Sequence, residues 1–323
     1  MYDYLGFLDV HDLRWTDVHR GDEKGLVAAY RDYCFREMNL ARSTIRQRLL
    51  YICSFYEYAL IQGWISKLPF HLEERRVQAT GPGVLSHINA SGGIVVVRDV
   101  MPRAHKSLPK FLTKDEVRAL VQATQNPHHR MLIRMALQTG LRLEELASFP
   151  IAYVFNPDAS HQKGRNIMVT LDPYDGSGIK TKGSKVRDIW MRREFMAELY
   201  RYSVLTRGEL AAYSSSPSQT LFLTQLGKPY ASHGKHIEVV VREIGKRIGI
   251  RVHPHMLRHT YATHTLATLQ RNRATQTVEP LSFLQRQLGH ASIATTMVYL
   301  HLINSLVDDA VLAYDDELND WSK

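Results

Sequence analysis

Two cysteines among 323 residues, Cys34 and Cys53, leave no material for a disulfide framework, and neither belongs to a CxxC pair that would suggest a thiolate metal site. They fit a reducing cytosol and buried, inert side chains. No stretch reaches the roughly 18 uninterrupted apolar residues of a membrane helix, so no membrane partner is expected. Residues 1–10 carry Asp3 and Asp9 and no basic segment, unlike a secretory signal. No internal repeat or low-complexity tract stands out. Hydrophobic residues at 44% and charged residues at 23% are instead the ordinary composition of a folded chain, and the length suits two domains.

Acidic side chains are scarce in one part of the sequence. Residues 109–300 hold 26 basic against 14 acidic side chains, net +12, whereas residues 301–323 hold one against six, net −5. A basic body of this kind suits a polyanionic partner. Charge alone fits a merely soluble basic protein equally well.

Helical spacing organises residues 22–66. Leu26, Tyr30, Tyr33 and Cys34 mark one segment. Ile45, Leu49, Ile52, Phe55, Tyr56 and Ala59 mark another, with Ser43 as its expected N-cap and Gly63 as its stop. Arg42, Arg46 and Arg48 crowd the start of that helix, the end whose dipole repels cations, as a site for an external anion would. A solvated basic face is the simpler alternative. Residues 71–108 contain Gly81-Pro82-Gly83, Ser91-Gly92-Gly93 and the β-branched run Ile94-Val95-Val96-Val97, and read as a linker with one short hairpin. A second domain begins near Leu108, where Thr113 and Glu116 form a capping box. Helices follow at 129–138 and from Arg142, then strand-like segments at 166–171, 178–182 and 186–191, then helix again from Arg193.

The chemistry lies in four features of this second part. Thr139-Gly140-Leu141-Arg142 presents an arginine at a helix start, with Glu145 on the same helix. Lys180-Thr181-Lys182-Gly183-Ser184-Lys185-Val186-Arg187 is a basic hairpin tip. In His255-Met256-Leu257-Arg258 the histidine and arginine are i, i+3 and share a helix face. Leu288-Gly289-His290 is followed, nine residues beyond the histidine, by Tyr299. His255 and His259 are also i, i+4, as in a zinc-binding helix. No His-Glu-x-x-His base and no nearby cysteine accompany them, so no metal is expected, and His259 and His264 read as packing or bonding locally.

In this order and spacing the features resemble the tyrosine recombinases, the phage integrase and Xer-like family of DNA strand-exchange enzymes, over roughly residues 109–305. The helices at 22–66 are similar to that family's N-terminal core-binding domain. The resemblance implies a mostly α fold with a small antiparallel sheet, in two domains. These are a helical core-binding, DNA-clamping domain at 1–70 and an α+β catalytic domain at 109–303, joined by an extended linker at 71–108. A C-terminal helix at 304–323 would pack on a neighbouring protomer or fold back on its own domain. The implied activity is cutting and rejoining duplex DNA through a 3′-phosphotyrosyl intermediate at Tyr299, without metal, cofactor or ATP.

The resemblance also assigns roles. Arg142 and Arg258 would neutralise the non-bridging phosphate oxygens, each guanidinium being planar, charged and able to donate paired hydrogen bonds. Lys182 matches the general acid for the leaving 5′-oxygen, with Lys180 and Lys185 as near rivals. His255 matches the residue that assists proton transfer from the tyrosine, and Tyr261 is the rival of Tyr299. His290 would donate to the phosphate, and Glu145 would support the architecture. Further DNA contacts are expected from Arg42, Arg46, Arg48, Lys180, Lys185 and Arg187.

The implied partners are duplex DNA at specific recombination sites and a homo-tetramer in the synapse, formed from a monomer or weak oligomer. A cytoplasmic, nucleoid-associated location in a prokaryote follows. The long 71–108 segment and the polar stretch 270–279 depart from compact dimer resolvases and point to integration or excision of a mobile element. Two rivals share the chemistry or the fold: a DNA-binding regulator with weak catalysis, and a type IB topoisomerase.

Overall fold

A computed structural model of the chain describes residues 1–20, 24–76, 94–103, 108–271 and 278–303. The chain divides into two compact units, Met1–Ser107 and Leu108–Lys323.

In the first unit, helices α1 (Tyr2–Val10), α2 (Leu26–Arg36) and α3 (Arg42–Ile61) precede an antiparallel pair, β1 (Leu72–Arg76) and β2 (Ile94–Arg98). The core is rich in tyrosine. Tyr4 and Tyr56 are fully buried, and a buried phenol needs a partner, which their hydroxyls find in each other at 2.7 Å. Helix α1, not expected from the sequence, buries Tyr4, Phe7 and Leu8 at i, i+3, i+4 spacing. Helix α3 starts at Arg42 with Ala41 as its N-cap, so Ser43 lies within the first turn and does not cap it. The described parts of the 71–108 segment fold onto this unit. Val100 joins the core, and Arg98 bonds Glu57 of α3 twice, at 2.7 and 2.8 Å. The glycine clusters at 81–83 and 91–93 lie outside the described residues.

The second unit runs α4 (Lys114–Ala123), α5 (Pro127–Thr139), α6 (Leu143–Ala147), β3 (Asn166–Leu171), β4 (Arg187–Arg192), α7 (Arg193–Val204), α8 (Thr206–Ala211), α9 (Lys235–Arg247), α10 (Pro254–Arg271), α11 (Pro280–Leu288) and α12 (293–303). Local chemistry sets the helix ends. Thr113 and Glu116 close the capping box of α4, and Asn126 with Pro127 starts α5 as Glu279 with Pro280 starts α11. Helices α5 and α11 both end on a left-handed glycine, Gly140 (φ 64°) and Gly289 (φ 63°).

β3 and β4 pair antiparallel, with Asn166 opposite Arg192 and Leu171 opposite Arg187. Ile167, Val169 and Leu171 alternate inward and meet Ile189 and Met191, so one face of the ribbon is core. The strand expected at 178–182 does not form. Gly176, Gly178, Gly183 and Ser184 have positive φ, which interrupts an extended ladder, and the Lys180 amide bonds to Ser148 Oγ at 2.9 Å instead. The basic segment is therefore part of a long connection between β3 and β4, and Lys182–Ser184 forms a short 3-10 turn within it.

Helix α10 packs against α5, α9 and α11. Ala262, Leu266, Leu284, Leu288, Leu302 and Ile303 tie α10, α11 and α12 into a second apolar cluster that includes Tyr299. Among the described residues no helix is long and apolar enough to cross a membrane.

Candidate active site

A helix leaves its last carbonyls without intrahelical partners and makes that end electronegative. At the end of α11, successive carbonyls are answered by guanidinium groups. Gln287 O accepts from Arg187 Nη1, Leu288 O from Arg258 Nη2 at 2.6 Å, and Gly289 O from Arg142 Nη2 at 3.0 Å. Arg258 also reaches the end of α5, donating Nη1 to Gly140 O at 2.5 Å. Both capping glycines are held close. A Cβ on Gly140 would lie 2.5 Å from Cδ1 of Tyr261, and one on Gly289 would lie 2.6 Å from Cδ of Arg187.

Arg142 is the N-cap of α6, which places Glu145 one turn along the same helix. Glu145 is 1% exposed. Its Oε1 accepts from Arg142 Nη1 at 3.0 Å, while its Oε2 accepts from the Arg142 amide at 2.7 Å and from Arg187 Nη2 at 2.6 Å. A buried carboxylate is tolerated only when paired and hydrogen-bonded, and this one holds two guanidinium groups at once. Arg187, expected among the DNA contacts, is built into the same cluster. Its side chain is 8% exposed and anchored between Glu145 and Gln287, because β4 delivers it to the end of α11. Burial lowers the Arg187 guanidinium, and burial together with neighbouring Arg142 pushes Arg258 down to about 9.

Tyr299, on α12, is 2% exposed. Its ring stacks on His290 at 6.3 Å between centroids and tilts against His259 at 5.7 Å. Its hydroxyl lies 2.8 Å from Nδ1 of His259, within hydrogen-bonding distance. His255, expected to assist proton transfer from the tyrosine, lies one ring further out, exposed, with its centroid 4.4 Å from that of His259. Burial raises the Tyr299 phenol above its ordinary value, while Arg258 and Arg142 pull it back. Burial and the nearby arginines push His290 down to about 3, and burial with His255 and Arg258 pushes His259 to about 4. His255 is also lowered, by desolvation and then by Arg258, His253, Arg142 and Lys182. Both His259 and His290 are thus neutral at ordinary pH. His290 Nδ1 is 3.0 Å from Thr296 Oγ1, leaving its Nε2 for another partner.

Lys182 and Lys185 line a cleft of about 840 Å³ together with Arg142, Arg187, Trp190 and His290. Lys180, Lys182 and Lys185 are all exposed. In the first unit, the cations at the start of α3 have partners of their own. Arg46 Nη1 donates to Pro102 O at 2.9 Å, and Arg48 pairs with Asp3 at 2.7 Å and donates to Tyr30 Oη at 3.1 Å. Arg42 is exposed. The chain therefore supplies internal answers to two of the charges that suggested an external anion. Among the described residues, no group of three or more His, Cys, Asp or Glu is arranged to hold a metal ion.

The pattern matches the phage integrase family over residues 110–305. The chain belongs to the phage integrase family. It is 26% identical over 307 residues to tyrosine recombinase XerC of Lacticaseibacillus casei (strain BL23), covering 93% of this chain and 85% of that protein. It is 28% identical over 210 residues to tyrosine recombinase XerA of Pyrococcus horikoshii, covering 65% and 63% respectively. The solved integrase of the Tn1549 transposon, in complex with a circular intermediate DNA, superposes with a TM-score of 0.60 at 18% identity, covering 92% of this chain and 86% of that one. The XerH site-specific recombinase bound to palindromic difH substrate gives 0.59 at 18%, covering 92% and 74%. These structures share the mostly helical fold. This tyrosine recombinase is a site-specific recombination enzyme, as the motif order implied.

Two contributors to the recombinase's site have no local signal in the sequence. His259, expected to pack or bond locally, meets a partner 40 residues away. Gln287 is 1% exposed and joins α11 to β4, its Oε1 accepting from the Trp190 amide at 2.8 Å. A glutamine before Leu-Gly-His carries no such signal.

Proposed function

We propose that this recombinase cuts and rejoins duplex DNA at specific sites through a covalent link between Tyr299 and a 3′-phosphate, and that it serves integration or excision of a mobile element. The supporting observation is a buried tyrosine hydroxyl, flanked by His259 and His290, within the same chain's cluster of Arg142 and Arg258.

In the proposed step, Arg142 and Arg258 bind the non-bridging oxygens of the scissile phosphate, which counters the charge built up in the transition state. The phenolic oxygen bonds to phosphorus and the bond to the 5′-oxygen breaks. Lys182 protonates that oxygen, and the phenolic proton passes to solvent with His255 assisting its transfer. His290 donates from Nε2 to the phosphate, its Nδ1 being engaged by Thr296. Rejoining is the reverse attack by a 5′-hydroxyl, so the phosphotyrosyl bond conserves the energy and no ATP is consumed. The basic surplus of residues 109–300 suits backbone contacts to duplex DNA. Lys180, Lys185 and Arg42 are exposed and belong to that contact set. A homo-tetramer would hold the synapse, with 304–323, which lies outside the described residues, reaching a neighbouring protomer. Unchanged synapsis after deletion of 304–323 would remove that element.

The deciding experiment uses nicked duplexes from the DNA surrounding the gene. A denaturant-resistant protein–DNA adduct is expected with the wild-type protein and none with Tyr299→Phe, which should still bind. An adduct that persists in Tyr299→Phe overturns the nucleophile. A mobile-element role predicts cleavage at the boundaries of the element carrying the gene, in preference to other replicon sequences.

A further inference from the structure

We propose that His259 is the residue that aims Tyr299, its Nδ1 accepting the phenolic hydrogen bond and fixing where the attacking oxygen points. The inference rests on Tyr299 as the nucleophile and concerns how it is held.

A phenol ring packed among side chains keeps one freedom, the direction of its O–H. Stacking on His290 sets the plane of the Tyr299 ring, and the 2.8 Å bond to His259 sets that direction. The acceptor is delivered by the same helix that delivers Arg258. One turn of α10 sends Arg258 to the carbonyls of Gly140 and Leu288 and the next residue to the nucleophile, so the phosphate clamp and the tyrosine share one rigid support. For Nδ1 to accept, the imidazole must be neutral with its proton on Nε2. Burial, His255 and Arg258 enforce the neutral form. The same charges make His259 a weak base, which is why its role is positioning. Rate depends steeply on such alignment, a displacement of about 1 Å costing on the order of a hundredfold.

The test compares His259→Phe with His259→Asn. The Asn Oδ1 takes the place of Nδ1 as an acceptor and cannot be protonated. Single-turnover adduct formation, DNA affinity and thermal unfolding are measured for both. His259→Phe is expected to lose about a hundredfold in cleavage rate with affinity within about threefold of wild type. His259→Asn should recover most of that loss. A substrate with sulfur replacing the bridging 5′-oxygen needs no proton on its leaving group, so it should relieve Lys182→Ala and leave His259→Phe slow. A wild-type rate in His259→Phe overturns the proposal. So does an Asn variant as slow as Phe, a parallel loss of affinity, or rescue by the sulfur substrate. Absence of any Tyr299-dependent adduct from the wild-type protein is a separate result, and it overturns the proposed function instead.

Discussion

Nη2 of Arg142 donates to the carbonyl oxygen of Gly289 at 3.0 Å, joining positions 147 residues apart. The arginine is held on its other side by Glu145, so its orientation is fixed by the end of α11 and the start of α6 together. Gly289 makes this possible because its φ of 63° turns the chain and its missing Cβ admits Arg187. Gly289→Ala should cost roughly 1–2 kcal/mol from the left-handed backbone alone, with a further loss from displacing Arg187. Cleavage should fall by a larger factor than DNA binding. Thermal unfolding and adduct yield check the two effects separately, and an unaltered melting temperature would show that the turn is not constrained.

Arg258→Lys tests whether charge or geometry matters at the buried position. A lysine cannot reach Gly140 O and Leu288 O at once and still face a phosphate, since its charge is a single point on a flexible stem. Cleavage should drop on the order of a hundredfold or more, with affinity for DNA changed far less. Single-turnover rates beside equilibrium binding make the comparison. A lysine variant with near-normal cleavage would mean that charge alone suffices.

Much of the site was legible because its signals are local. Thr139-Gly140-Leu141-Arg142 announces a helix end, a left-handed turn and an arginine at the next helix start, and α5, Gly140 and Arg142 occupy those places. The capping box at Thr113 and Glu116 was readable for the same reason. Long-range pairings were not. Arg187 sits in a run of basic residues, and only the antiparallel register opposite Leu171 sends it inward to Glu145. Residues 178–182 carry β-like alternation, but the positive φ at Gly178 and Gly183 and the bond from Lys180 to Ser148 outweigh propensity. Helix α1 escaped notice because its apolar residues have little meaning until Tyr56 is there to meet Tyr4.

Glu145 holds Arg142 and Arg187 from a position that water does not reach. Its removal leaves buried guanidinium charge uncompensated, so Glu145→Ala should destabilise the second unit by about 3–5 kcal/mol. Glu145→Gln keeps an acceptor and should cost less while still loosening Arg142. Denaturant midpoints rank the three proteins, and equal midpoints for Ala and wild type would rule out this pairing as a source of stability.

Acid should weaken the fold before it weakens the surface. His128 is buried between two phenols, its Nδ1 2.6 Å from Tyr202 Oη and its Nε2 2.8 Å from Tyr230 Oη, and burial pushes it down to about 4. His259 is pushed to about 4 and His290 to about 3. Each is depressed below the ordinary 6.5, so the unfolded chain binds the extra protons first. Their contribution is therefore complete above pH 6.5 and lost as pH falls toward the folded values, on the order of 1–2 kcal/mol per histidine by pH 5. Denaturant midpoints at pH 7 and pH 5 measure the total. Bound DNA should shrink the part due to His259 and His290, because a phosphate offsets Arg258 and Arg142, and leave the His128 part unchanged. Histidine titrations followed by NMR, with and without a duplex, separate these contributions. A His128 that shifts as much as His290 on binding would contradict the assignment of the phosphate site to the arginine cluster.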